Sequence, residues 1–233
     1  MENQLKFFNF SCKKCGKCCS GRFGDNAVYV RFDEIEEISE KINLSPDEFT
    51  VPLIPDLYNF DEESETCEHK LNMYKILENI SFQIDEDGFV HTPGRMLSRK
   101  KSGDCIFLDD KIKNHCFIYD FRPDLCKTFP FYTISGRLDY CKCEGLEKKL
   151  DSFELNKHSD YDEKIVKMSM LLDKREFKDK VEMESIKHHF LKNKNKRFGT
   201  KEGLKKAYKN AENNLIKCVV YDINEITNVD YYF

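Results

Sequence analysis

Cys12-Lys13-Lys14-Cys15-Gly16-Lys17-Cys18-Cys19 carries four thiols at the spacing C-x2-C-x2-C-C. A chain with 11 cysteines among 233 residues would not gather them so densely by chance. Two-residue gaps let thiolates from one turn converge on a single centre. Gly16 lets the backbone fold tightly between them. Lys13, Lys14 and Lys17 put positive charge where thiolates gather, which lowers thiol pKa and favours metal binding. Disulfides, or a mixture of buried and free thiols, are the competing reading. The start of the chain, Met1 to Phe8, has no apolar stretch of signal-peptide length. No run of 18 apolar residues exists, so no transmembrane helix and no membrane insertion are expected. A cytoplasmic protein is therefore expected. There, clustered cysteines point to metal or redox chemistry rather than a disulfide scaffold.

The chain is long enough to bury a sizeable core. Hydrophobic residues make up 40%, with 19 Phe and 11 Tyr, so it should fold. Charged residues at 34% and a net charge of −4 describe a solvated surface. Ala27 to Val30 reads as a short strand. Asp33 to Ile42 reads as a helix, with Asp33 as N-cap and Ile35, Ile38 and Ile42 at helical spacing. Ser45-Pro46 starts a second helix. Pro52 and Pro55 make Val51 to Asp56 irregular or extended. Cys67 and His69 form an isolated C-x-H, weak evidence for ligation, and Cys67 reads better as a half-buried thiol. Ile80 to Ile84, Asp87-Gly88 and Phe89-Val90 read as a hairpin.

A second cysteine block follows. Gly103-Asp104-Cys105 to Asp110 reads as a strand entering a turn, and His115 to Tyr119 as its partner. Asp120 could cap a short helix that Pro130 would stop. Cys105, Cys116, Cys126 and Cys141 come from separate elements, as a closed metal site requires. The alternative makes Cys105 and Cys116 small core residues facing each other across a hairpin.

These motifs carry a resemblance. Cys12, Cys15, Cys18 and Cys19 are followed by Gly103, Cys105, Phe107 and Leu108. Then come Cys116, Ile118, Tyr119, Arg122, Pro123, Cys126, Phe129 and Pro130. The ordered set resembles the YkgJ-type CxxCxxCC cysteine-cluster family, which is described as having a zinc- or iron-chelating domain. It is also similar to the cysteine-rich part of flagellin lysine N-methylases. The resemblance covers about residues 7 to 143 and implies a metal or cluster site. Lys127 stands where the family usually has Arg, keeping the charge but not the forked donor. The long insertion from about Glu62 to Lys101 leaves ligand assignment there open.

From Glu144 onward only Cys218 remains. Glu163 to Phe177, Val181 to Phe190 and Glu202 to Lys217 read as helices, and Ile216 to Tyr221 as a final strand. Lys187 to Lys209 holds nine basic residues against one acidic. Overall negative charge favours a solvated helix face over nucleic-acid binding. His188 and His189 read as surface residues. The expected architecture is α+β. A small, irregular, metal-stapled cysteine-cluster domain spans 1–145, with a mostly helical extension over 146–233.

The expected metal ligands are Cys12, Cys15, Cys18, Cys19, Cys105, Cys116, Cys126 and Cys141. Successive side chains diverge, so Cys18 and Cys19 are not expected on one metal. Eight thiols allow two centres, or one cluster with a few structural thiols. Cys12, Cys15 and Cys18 are expected in one site, joined by at least one of Cys105, Cys116 and Cys126. Arg122 and Lys127 would offset the charge of an anionic cluster; Arg122 could equally clamp an aspartate or a carbonyl. An iron–sulfur cluster, of [4Fe-4S] type, is favoured over zinc. A redox or assembly role is expected, with a protein partner of unknown identity. A lysine-methyltransferase-like enzyme and a zinc-stapled interaction module are the alternatives. No Gly-rich nucleotide loop and no C-x3-C-x2-C run supports the methyltransferase. No catalytic residue is assigned, and the sequence leaves open whether the protein is an enzyme.

Overall fold

The computed structural model describes residues 10–20, 27–55, 57, 69–134, 137–141, 143–146, 159–192 and 195–233. Cys67 lies outside them, and of His69 only the backbone is described. After a 3₁₀ turn at Lys17–Cys19 come strand β1 (Tyr29–Val30), helix α1 (Phe32–Ile42), helix α2 (Pro46–Phe49) and strand β2 (Thr50–Pro52). Helix α3 (His69–Asn79) leads to strands β3 (Val90–Pro93) and β4 (Arg95–Leu97). Helix α4 (Asp124–Thr128) precedes the strands β5 (Phe131–Ile134) and β6 (Arg137–Tyr140). Helices α5 (Ser159–Lys192) and α6 (Lys201–Glu212) and strands β7 (Leu215–Tyr221) and β8 (Ile226–Tyr232) complete the chain. Two three-stranded sheets, β1-β4-β2 and β3-β7-β8, and the hairpin β5-β6 make the fold α+β, as expected.

Several elements follow their sequence signals. Ser45 N donates to Glu48 Oε2 at 2.8 Å, closing a capping box that starts α2. Helix α1 buries Ile35 and Ile38, as its periodicity requires. Its cap is Arg31 rather than Asp33: the Arg31 N–H donates to Glu34 Oε2 at 3.0 Å.

Other expectations fail for identifiable reasons. The helices expected over 163–177 and 181–190 are one helix, α5, which contains no Gly or Pro to break it. Helix α6 stops at Glu212, not Lys217, because Asn214 takes a left-handed φ of 56° and turns the chain into β7. Strand β8 was not foreseen; its side chains alternate between exposed and half-buried. The hairpin expected over 80–90 shrinks to a single bridge between Ile84 and Val90. Ser81–Gln83 is a 3₁₀ turn, and Val90 leaves to pair in parallel with Cys218 of β7.

The described chain divides into two compact units, each discontinuous in sequence. The smaller combines residues 1–15 with 124–178, and the larger combines 16–123 with 179–233. Both draw on the blocks 1–145 and 146–233.

The larger unit holds two apolar clusters. One packs Met73, Ile76, Leu77 and Ile80 of the α3 region against Val90, Ala207, Ala211, Ile216, Cys218 and Val220. The other joins Val30, Ile35, Ile38, Phe49 and Leu97 to Cys105, Phe107 and Ile118. Two buried carboxylates supplement them. Glu182 of α5 accepts the Tyr29 hydroxyl at 2.6 Å and the Phe32 N–H at 3.1 Å, satisfying a donor at the start of α1. Asp85 accepts the N–H groups of Asp87 and Phe89 through Oδ1 and meets His91 Nε2 at 3.0 Å through Oδ2. Burial alone would raise the Asp85 pKa; the hydrogen bonds from His91, Phe89 and Asp87 outweigh it and hold the carboxyl below its ordinary value.

In the smaller unit, Phe10 bridges to Leu146 and Ser11 N donates to Gly145 O at 3.0 Å. The Phe10 and Phe131 rings meet edge to face at 5.3 Å. Arg175 Nη1 donates to the Thr128 hydroxyl.

Gly203, in the first turn of α6, lies against the Asp85 carbonyl. A Cβ there would stand 2.0 Å from that oxygen. On an open helix, Gly→Ala gains about 1 kcal/mol. Here the clash is with backbone, so Gly203→Ala should instead destabilise the larger unit by about 1–3 kcal/mol, read as a lowered midpoint in urea unfolding.

Candidate metal centre

Gly16 takes a φ of 72°, and Cys19 N donates back to Gly16 O at 2.9 Å, forming the 3₁₀ turn of Lys17–Cys19. A side chain at Gly16 would lie 2.9 Å from Asn114 Oδ1. The tight turn brings the Cys18 and Cys19 sulfurs to 3.8 Å. Divergence of successive side chains is a rule for strands, and this turn does not obey it.

The turn is fixed to the second cysteine block by backbone. Cys105 N donates to Cys19 O at 2.6 Å. Arg99 Nη1 donates to Cys19 O and to Gly103 O, both at 3.2 Å. The hairpin expected around Cys105 and Cys116 is present as isolated pairings without extended strands. Leu108 bridges to Cys116, Asp109 N donates to His115 O at 2.8 Å, and Phe117 N donates to Phe107 O at 3.0 Å. Cys105 is buried in the apolar cluster, with Cys19 and Cys116 packed at its edge.

Charge completes this group. The Cys18 thiol is lowered to about 7, chiefly by its hydrogen bond with Cys19, with the Arg122 and Arg99 guanidiniums adding to the effect against partial burial. Burial pushes the Cys105 thiol up; Arg99 opposes this, and negative charge on Cys116 or Cys18 adds to it. Burial likewise raises Cys116, with Arg122 opposing and Cys18 adding. Cys18, Cys105 and Cys116 therefore lie within electrostatic reach of one another. Arg122 clamps a carbonyl, one of the two roles read from the sequence. It stacks 3.9 Å above the Tyr119 ring and donates to the Tyr119 carbonyl, and its charge reaches Cys18 and Cys116.

The remaining expected ligands lie in the smaller unit. Cys12 and Cys15 precede the turn, Cys126 sits in α4, and Cys141 follows β6 with its N–H on Pro130 O at 2.9 Å. Lys127 pairs with Asp124 at 3.1 Å. Cys143, which closes the second cysteine block and whose role the sequence leaves open, lies in the same unit. Cys218 is a core residue of β7 whose thiol burial pushes up. Lys196, Arg197 and Lys206 of the basic stretch face the acidic loop Asp85-Glu86-Asp87. Among the described residues, no three Cys, His, Asp or Glu side chains are already gathered at ion-binding separation. None of the described helices is long and apolar enough to cross a membrane.

The donors are soft thiols, flanked by fixed cations, and such a set suits zinc or iron. Two sulfurs on one tetrahedral ion stand about 3.8 Å apart, given metal–sulfur bonds near 2.3 Å. The Cys18–Cys19 pair is at that separation. Two cysteine-bearing segments joined by backbone, with soft donors and flanking cations, describe a metal-binding cysteine-cluster protein. The chain belongs to the CxxCxxCC family, whose model, described as "Putative zinc- or iron-chelating domain", matches residues 11–148. No solved structure matches the chain.

In the reduced, metal-free protein, Cys18 should be the first of the larger unit's thiols to react with iodoacetamide. Its rate should rise with pH to half-maximum near pH 7, because the thiolate is the nucleophile. Cys105 and Cys116 should react only at distinctly higher pH. Peptide mass mapping across a pH series measures this; equal rates for the three would contradict the assigned environment.

Proposed function

We propose that Cys18, Cys19, Cys105 and Cys116 hold an iron–sulfur centre with a redox or assembly role. One observation carries this. The loop bearing Cys105 and Cys116 is already anchored, because Cys105, Phe107 and Ile118 are buried among Ile38, Phe49 and Leu97. A loop held by an apolar cluster has little need of a metal staple, so a centre there is better explained by chemistry. Cys18 is exposed on this surface, open to a protein partner. The Arg99 and Arg122 guanidiniums offset thiolate charge at Cys18. A bound cluster would supply one-electron chemistry, and these residues would set its potential through charge and burial.

A zinc ion is the second reading, and the 3.8 Å sulfur pair favours it. In a four-iron cluster each iron takes one protein thiolate, whereas a zinc ion or one iron of a two-iron cluster takes two. Anaerobic purification decides between them. Iron with acid-labile sulfide, and visible absorption that dithionite bleaches, is the expected result. Cys105→Ser should remove that absorption by at least tenfold. Colourless protein carrying zinc, with no iron or sulfide, would replace the first reading by the second.

A further inference from the structure

We infer that the smaller unit carries a second, separate centre: a single zinc-class ion held by Cys12, Cys15 and Cys143 and completed by Cys126 or Cys141. The inference rests on the chain's metal binding but not on the iron–sulfur assignment. Its support is local geometry. Ser11 N donates to Gly145 O at 3.0 Å, and Phe10 bridges to Leu146, so the residues flanking Cys12 and Cys143 are paired across two segments. This approach requires Gly145, because a Cβ there would stand 2.5 Å from the Ser11 carbonyl oxygen. Each of the two thiols receives a backbone N–H from two residues further on. Lys14 N donates to Cys12 Sγ at 3.4 Å, and Gly145 N donates to Cys143 Sγ at 3.4 Å.

An N–H directed at sulfur fixes where the sulfur points. Lys14, at a φ of 50°, curls the chain between Cys12 and Cys15, and C-x2-C is a usual spacing for two ligands of one zinc ion. The two segments thus present matching half-sites.

A tetrahedral thiolate ion bound here would staple the two segments to each other. The sulfurs would close in as the ion binds, coupling metal uptake to folding of this unit.

Metal analysis of the full chain tests the inference. The parent protein should contain two centres. Cys143→Ser should lose the zinc-class ion and keep the metal of the larger unit, while Cys105→Ser should do the reverse. Cobalt titration of the metal-free parent avoids dependence on variant folding. Saturation of the thiolate–cobalt charge-transfer band at two equivalents supports two centres, and saturation at one overturns them. Equal loss of all metal in both variants, as a single site shared by Cys12, Cys15 and Cys18 would give, also overturns the inference. Colourless parent protein with two zinc ions would sink the iron–sulfur reading and leave this one standing.

Discussion

The hydrogen bond from Cys105 N to Cys19 O joins two segments separated by about ninety residues of chain. Closing a loop of that length costs about 4 kcal/mol in chain entropy beyond a length-independent constant. One backbone hydrogen bond contributes only about 1 kcal/mol net. The closure must therefore be held by its surroundings. Arg99 grips both sides of the join through Cys19 O and Gly103 O. Ile38, Phe49 and Leu97 hold Cys105 and Phe107 from below. With these in place, the cysteine run and the second cysteine block are fixed together by apolar packing. The thiols inherit their positions from the apolar cluster rather than creating them.

Buried charge in this protein is used to tie elements. Glu182 closes the start of α1 and receives the Tyr29 hydroxyl, while Arg31 bridges Asp33, Glu34 and Asp179. Asp85 orders its own loop, meets His91 in β3, and receives α6 so closely that only glycine fits at position 203. His91 passes the chain of hydrogen bonds on to the Tyr221 hydroxyl in β7 at 2.6 Å. These carboxylates are satisfied by several donors each, which is the condition for burying them without large cost.

The sequence made α1 and α2 legible because their caps and apolar spacing are local signals: Ser45 with Glu48, and Ile35 with Ile38. The motif block was legible for a similar reason, since thiol spacing is printed in the chain. What it could not reveal depends on distant partners. The parallel pairing of β3 with β7 leaves Ile84 and Val90 a single bridge rather than a hairpin, and no residue near Asp87-Gly88 announces that. The approach of the Cys18 and Cys19 sulfurs depends on a 3₁₀ turn, which has no apolar periodicity to read. The role of Cys143 stayed open because the segment paired beside it, Phe10-Ser11, lies about 130 residues away. The interleaving of two units was hidden for the same reason, as both are assembled from non-contiguous stretches.

The parallel pairing of β3 with β7 also orders events during synthesis. Val90 meets Cys218, a partner made about 130 residues later. At roughly 5–20 residues per second, translation leaves β3 without its neighbour for about 6–25 s. All of the cysteines in the two blocks have emerged by then, while the larger unit's first apolar cluster still lacks Ile216, Cys218 and Val220. The first apolar cluster can therefore close only after nearly the whole chain has been made.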